Sequence, residues 1–210
     1  MTPAAMIRGA AARQVITALA GWRAAHTGVL VVAVDGHGTA GKTTVAGLVA
    51  GAVGASLVHT DDFFRQLPVP AACEPPRRQP LSQYYDWRRI RAEALEPLRA
   101  GRSAAFRRFD WSRGAGLDGG VRVAPAGVIL LEGVFSAAPE LSDLVDRSVF
   151  VDTPEQERLR RLHAQVAPED WDADWLIAQE SYFRLIRPAA SFDLIVSGAS
   201  PLPAGSGGTS

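Results

Sequence analysis

The sequence predicts a three-layer α/β/α sandwich on a mostly parallel, five-stranded core sheet with a small lid. Three observations carry that expectation. Short apolar runs at 28–34, 56–60, 128–131, 149–151 and 194–196 alternate with helical patterns. The first of them, Gly28-Val29-Leu30-Val31-Val32-Ala33-Val34, has no polar alternation, as in a strand buried on both faces. It ends at Asp35 in a glycine-rich segment that opens a small-residue helix over 42–53.

The other elements follow in order. Ile7, Ala11, Val15, Ile16, Leu19 and Trp22 recur at helical spacing, so 1–27 holds a lead-in helix over about 5–25. Residues 65–80, rich in Pro and Arg, lack periodicity and are expected to form a loop or lid. Tyr84 to Arg99 is an amphipathic helix stopped near Gly101. Short strands are expected at Ala104–Asp110 and Val121–Val123, joined by a turn-rich stretch over Gly114–Gly120. Helices at about 154–166 and 172–187 precede the last strand, and the Gly, Pro and Ser tail over 198–210 is expected to be disordered.

Composition narrows the function classes. At 210 residues with 47% hydrophobic and 21% charged residues, the chain suits one soluble domain. Its 22 acidic and 22 basic residues cancel, so no global field favours a nucleic-acid partner. No apolar stretch reaches the roughly 18 residues a membrane span needs, and no signal peptide is evident. A single cysteine, Cys73, excludes an internal disulfide framework and fits a reducing, cytoplasmic setting. A homo-oligomer is left open. His26, His37, His59 and His163 lack metal-ligand spacing.

The chain contains one lysine, Lys42, against 21 arginines, and it lies in Gly36-His37-Gly38-Thr39-Ala40-Gly41-Lys42-Thr43. Lysine is a compact charge on a flexible stem, suited to a loop that wraps phosphates. The glycines alone also satisfy a dinucleotide-binding pattern, with Asp61 about 20 residues on. The Lys-Thr pair decides for the phosphate-binding G-x-x-x-x-G-K-[ST] loop. Backbone from Gly36, His37, Gly38, Thr39, Ala40, Gly41, Lys42, Thr43 and Thr44 would then cradle the phosphates of ATP. Lys42 would reach the β- and γ-phosphates, and the Thr43 hydroxyl would ligate Mg²⁺. With no other lysine, a guanine-reading Asn-Lys-x-Asp element is excluded. A small-molecule kinase is the economical reading, and Asp61 at a strand end would serve its acceptor hydroxyl as general base. Glu132, ending an apolar strand, suits a place near Mg²⁺.

Several segments resemble the uridine-kinase-like P-loop kinases. Thr60-Asp61-Asp62-Phe63-Phe64 is similar to that family's D-x-F-[YF] element, and Tyr84-Tyr85-Asp86-Trp87-Arg88-Arg89 to its Y-D-W helix start. Leu130-Leu131-Glu132-Gly133-Val134, Val151-Asp152-Thr153-Pro154 and Phe192-Asp193-Leu194-Ile195-Val196-Ser197-Gly198 resemble later elements in the right order, across roughly 29–198. The resemblance implies one kinase domain over 1–197, with acceptor-side insertions at about 65–125 and a lid at about 158–172. It implies catalytic roles for Asp61, Lys42 and Arg161, with Arg160 also on the nucleotide. Thr43 and Glu132 would hold the metal, and Asp61, Phe63, Tyr85, Asp86, Arg89 and Phe109 would meet a small hydroxyl-bearing acceptor. The chain departs from the family where arginines are expected in 165–170, and where Phe109 replaces a tyrosine with no histidine following. The acceptor, nucleoside or pantothenate-, sugar- or antibiotic-like, therefore stays open. So does a nucleotide-binding regulatory module without catalysis.

Overall fold

A computed structural model describes residues 3–65, 84–113, 116–165 and 173–199. The core sheet comprises β1 (Leu30–Asp35), β2 (Ser56–His59), β5 (Val128–Glu132), β6 (Arg147–Asp152) and β7 (Leu194–Ser197), in the order β2-β5-β1-β6-β7. Every pairing within it is parallel. The antiparallel hairpin β3 (Ala104–Phe109) and β4 (Leu117–Val123) stands apart.

The sheet has helices on both faces because its strands are apolar on both. From β1, Leu30, Val32 and Val34 join a core with Val15 and Leu19 of α1 (Pro3–Ala24) and Val45 and Val49 of α2 (Lys42–Val53). The alternate residues Val31 and Ala33 join a second core with Ile90, Leu95 and Leu98. Those three lie on α3, which runs as Trp87–Arg89, a π segment Ile90–Leu95, and Glu96–Arg99. The period-two split of side chains across one strand builds the three layers. The three-layer fold and five-stranded parallel sheet expected from the sequence are therefore present. No helix of the described residues is long and apolar enough to cross a membrane.

Some boundaries differ from expectation. The helix expected from Tyr84 begins at Trp87, because Tyr85 pairs as an isolated antiparallel bridge with Phe64 and Asp86 caps the helix by accepting from Arg89 N–H at 3.2 Å. Strand β4 begins at Leu117 rather than Val121. Gly120 pairs opposite Arg107, whose guanidinium donates to the carbonyls of Leu117 and Asp118, so backbone contacts define a strand that side chains do not. The late helices are α4 (Glu155–His163) and α5 (Ala173–Ser181), the second continuing as a π turn over Tyr182–Ile186. The expected loop beyond Arg65, part of the expected lid and the tail from Ser200 lie outside the described residues.

Candidate active site

The sheet order changes direction around β1, with β5 on one side and β6 on the other, and ligands of open α/β sheets bind at such a point. The glycine-rich loop leaves β1 there. Gly36 has φ 145°, and a Cβ on it would lie 2.6 Å from the Val151 carbonyl oxygen, so only glycine fits the turn out of the strand. Thr39 also adopts a left-handed φ of 58°, and its hydroxyl donates to the Arg158 carbonyl. The loop ends at Gly41, directly before the first turn of α2, where backbone N–H groups and the helix dipole favour an anion.

Beneath the loop, Asp35 is fully buried and accepts from Gly36 N–H, Phe135 N–H, Ala137 N–H and the Tyr182 hydroxyl, at 2.8, 2.9, 3.0 and 3.0 Å. One carboxylate thus ties the phosphate loop, the segment after β5 and the π turn after α5. Burial pushes its pKa up to about 6 despite these donors.

Lys42 is 6% exposed, and its ammonium donates to the His37 carbonyl at 2.8 Å. Burial lowers its pKa, while Glu132, Asp35 and Asp61 act in the opposite sense. The Thr43 hydroxyl donates to Glu132 Oε1 at 2.9 Å, and His59 Nδ1 lies 2.7 Å from Glu132 Oε2. That hydrogen bond raises the His59 pKa, outweighing burial. Asp61 presents its carboxylate to the open cleft from the turn Thr60–Phe63 after β2, and Tyr85 Oη donates to Asp61 Oδ1 at 2.8 Å. The enclosing walls desolvate Asp61 and raise its pKa, with the Tyr85 bond and Lys42 partly offsetting the rise.

Lys42, Thr43, Glu132, Asp61 and Tyr85 line one cleft of about 520 Å³. Thr44 and Arg161 line it as well, and Phe64, Tyr85, Trp111 and Trp175 give it an aromatic wall. Trp111 is 58% exposed, 4.9 Å from Phe64 and 4.8 Å from Phe109 between ring centroids. Arg161 donates to the carbonyls of Thr39, Ala40 and Gly198, which docks α4 on the loop.

Other expected positions lie off the cleft. Phe63 is buried against Phe106, and its neighbour Phe64 takes the cleft-facing place. Asp86 caps α3, and with Arg89 it borders a separate shallow cavity. Arg89 is held by Glu93 through two bonds and stacks over Phe63. Phe109 is buried beside Trp111, and Arg160 is exposed and bound to Glu157. The His37 ring turns from the loop onto Phe183, with centroids 4.3 Å apart. Burial, Arg158 and Lys42 lower its pKa to about 3, so its 3.6 Å approach to Glu180 is not an ion pair at neutral pH.

The arrangement fits a nucleotide with a hard cation. A buried ammonium points into a glycine loop, and the hydroxyl–carboxylate pair Thr43–Glu132 is an all-oxygen donor set of the kind Mg²⁺ takes together with phosphate oxygens. Among the described residues no cluster of three His, Cys, Asp or Glu could hold a metal. Sequence reasoning missed Asp35, His59 and Gln179. A carboxylate ending an apolar run and a histidine two residues before Asp61 were the available signals for the first two.

Comparison with known proteins bears on the fold and on what the chain resembles. No family model matches the chain. It is 35% identical over 96 residues to a uridine kinase of Shewanella denitrificans, covering 45% of this chain and 44% of that protein. The matched region thus spans less than half of that relative's length. It is 27% identical over 167 residues to a uridine kinase of Halobacterium salinarum, covering 75% of this chain and 71% of that one. Among solved structures, a possible uridine kinase from Bacillus stearothermophilus superposes with TM-score 0.64 at 20% identity, covering 88% of this chain and 98% of the other. The chain is thus similar in sequence to proteins named uridine kinase, and in its three-layer α/β/α fold to the structure of a possible uridine kinase.

Proposed function

We propose that the chain is an ATP- and Mg²⁺-dependent kinase that transfers the γ-phosphoryl group to a hydroxyl of a nucleoside, uridine- or cytidine-like, or of a similar small alcohol. The observation that carries this reading is the single cleft shared by Lys42, the Thr43–Glu132 pair, Asp61 and an aromatic wall. Mg²⁺, when bound, would neutralise charge on the β- and γ-phosphates. Thr43 and Glu132 would hold it, and Lys42 would hold the same phosphates from the loop side.

Asp61 accepts the proton of the acceptor hydroxyl as that oxygen bonds to the γ-phosphorus and the bond to the β–γ bridging oxygen breaks, leaving ADP. Its raised pKa suits a base that must hold a proton, and Tyr85 fixes one carboxylate oxygen so that the other can face the acceptor. Arg161, bonded to the loop carbonyls and also to Glu157, would be the lid arginine that meets phosphate charge; Arg160 is exposed and bonded to Glu157 alongside it. The wall of Phe64, Trp111 and Trp175 suits an acceptor with a planar or apolar body, which includes non-nucleoside alcohols. The experiment is acceptor-dependent ADP release from Mg·ATP over a panel of nucleosides, vitamins, sugars and aminoglycosides. Release with one acceptor class supports the reading; none across the panel favours a non-catalytic nucleotide-binding module.

A further inference from the structure

Trp175, Gln179, Tyr182 and Phe183 recur at i, i+4, i+7 and i+8, so α5 and its π turn present them on one face. That face runs along the phosphate loop. Trp175 lines the acceptor wall of the cleft and packs on Phe135, with centroids 5.2 Å apart. Tyr182 donates to Asp35, and Phe183 carries the His37 ring. Between these contacts Gln179, 2% exposed, accepts the Gly38 N–H at 2.6 Å.

Two features separate this contact from ordinary helix docking. A Cβ on Gly38 would lie 3.3 Å from Gln179 Oε1, so the amide fits closely against the backbone of the glycine loop. The other half of the amide, Nε2, is buried without a hydrogen-bond partner. A buried orphan donor costs stability, and packing alone does not explain its retention. The carbonyl does: glutamine accepts a loop N–H without setting a negative charge beside phosphates, which glutamate cannot do and an apolar residue does not attempt.

Resting on the phosphate-binding reading of the loop, we propose that Gln179 is a positioning residue for it. Its carbonyl fixes the Gly38 N–H, and the shared helix face ties the loop to the acceptor wall at Trp175. Loop geometry and wall geometry are then one mechanical unit, and a nucleotide on the loop is felt at Trp175.

The test uses Mg·ADP as probe on the full chain, with calorimetric affinity, thermal unfolding and tryptophan emission as readouts. Gln179→Met removes the acceptor, and Gln179→Glu keeps it but adds charge. Both are expected to unfold within a few degrees of wild type. Gln179→Met should weaken Mg·ADP about threefold to tenfold, and Gln179→Glu about tenfold or more. In wild type Mg·ADP should change the part of the emission that Trp175→Phe removes, and saturated Gln179→Met should show less of that change. Affinities of both variants within twofold of wild type overturn the proposal, as does a full Trp175 response in saturated Gln179→Met. Loss of cooperative unfolding in both variants reassigns Gln179 to a structural role and also overturns it. If wild type itself does not bind Mg·ADP, the kinase reading fails as well. If wild type binds and the variants match it, only the role of Gln179 falls.

Discussion

The Tyr85 hydroxyl donates to Asp61 Oδ1 across 2.8 Å, joining a residue just before α3 to the turn that follows β2. Tyr85 is fully buried, and the two groups shift each other in opposite senses: burial and Asp61 raise the phenol's pKa, while the phenol's hydrogen bond lowers that of Asp61. The bond therefore fixes both the direction and the proton affinity of the proposed base.

Removing that bond has a signed consequence. Asp61 works as a base only when ionised, so activity falls as pH drops through its pKa. Tyr85→Phe takes away a lowering influence, so the acidic limb of the kcat/KM profile should move to higher pH, with kcat reduced about threefold to tenfold at neutral pH. A pH–rate profile of wild type and variant checks it; an unmoved limb would contradict the assignment.

Thr43→Ala removes the hydroxyl that donates to Glu132 at 2.9 Å. Half-maximal activity should then require about tenfold to 100-fold more Mg²⁺, with the fold intact because Thr43 is exposed to the cleft. A magnesium titration of ADP release reads this directly, alongside circular dichroism for the fold.

Asp35 predicts a stability effect rather than a catalytic one. Its folded pKa, about 6, lies above the ordinary value of 3.8, so the folded state binds the proton more tightly than the unfolded chain. The cost of burying the charge is fully present above pH 6 and is relieved as pH falls from 6 toward 3.8, by up to a few kcal/mol. Asp61 and Asp62 shift in the same direction and His59 has its own raised pKa, so the test is a difference. Between pH 7.5 and pH 5, wild type should gain more stability than Asp35→Asn, measured by denaturant unfolding. At pH 7.5 the variant's stability reflects lost charge against imperfect pairing of four donors, so the slope carries the prediction.

Trp111 offers a contrast between stability and binding. At 58% exposure its truncation to Ala should alter stability by only about 0.5 kcal/mol. It should still raise the acceptor KM about fivefold or more, because the ring forms part of the aromatic wall. Equal KM values would remove Trp111 from the acceptor site.

How far the sequence anticipates this molecule depends on how local each cause is. Strand β1 is legible because every one of its faces is apolar, and the loop from Gly36 to Thr43 because its glycines and lysine are adjacent in the chain. The start of β4 is not, since Gly119 and Gly120 carry no side-chain pattern and their pairing is set by Arg107 across the hairpin. The exchange of Phe63 for Phe64 at the cleft arises from a single 3₁₀ turn over Thr60–Phe63, which rotates successive side chains by an amount that no periodicity records. Asp35 to Tyr182 and Gly38 to Gln179 are contacts between residues 147 and 141 positions apart, visible only once α5 lies against the loop.

The central claim is phosphoryl transfer from this cleft with Asp61 as base, and Asp61→Asn tests it most directly. With an acceptor that supports turnover in wild type, mass spectrometry should find the acceptor carrying one added phosphoryl group. The variant should bind Mg·ATP with near wild-type affinity by calorimetry while forming that product about 10²–10⁴-fold more slowly. Wild-type product formation that survives undiminished in Asp61→Asn would contradict the account.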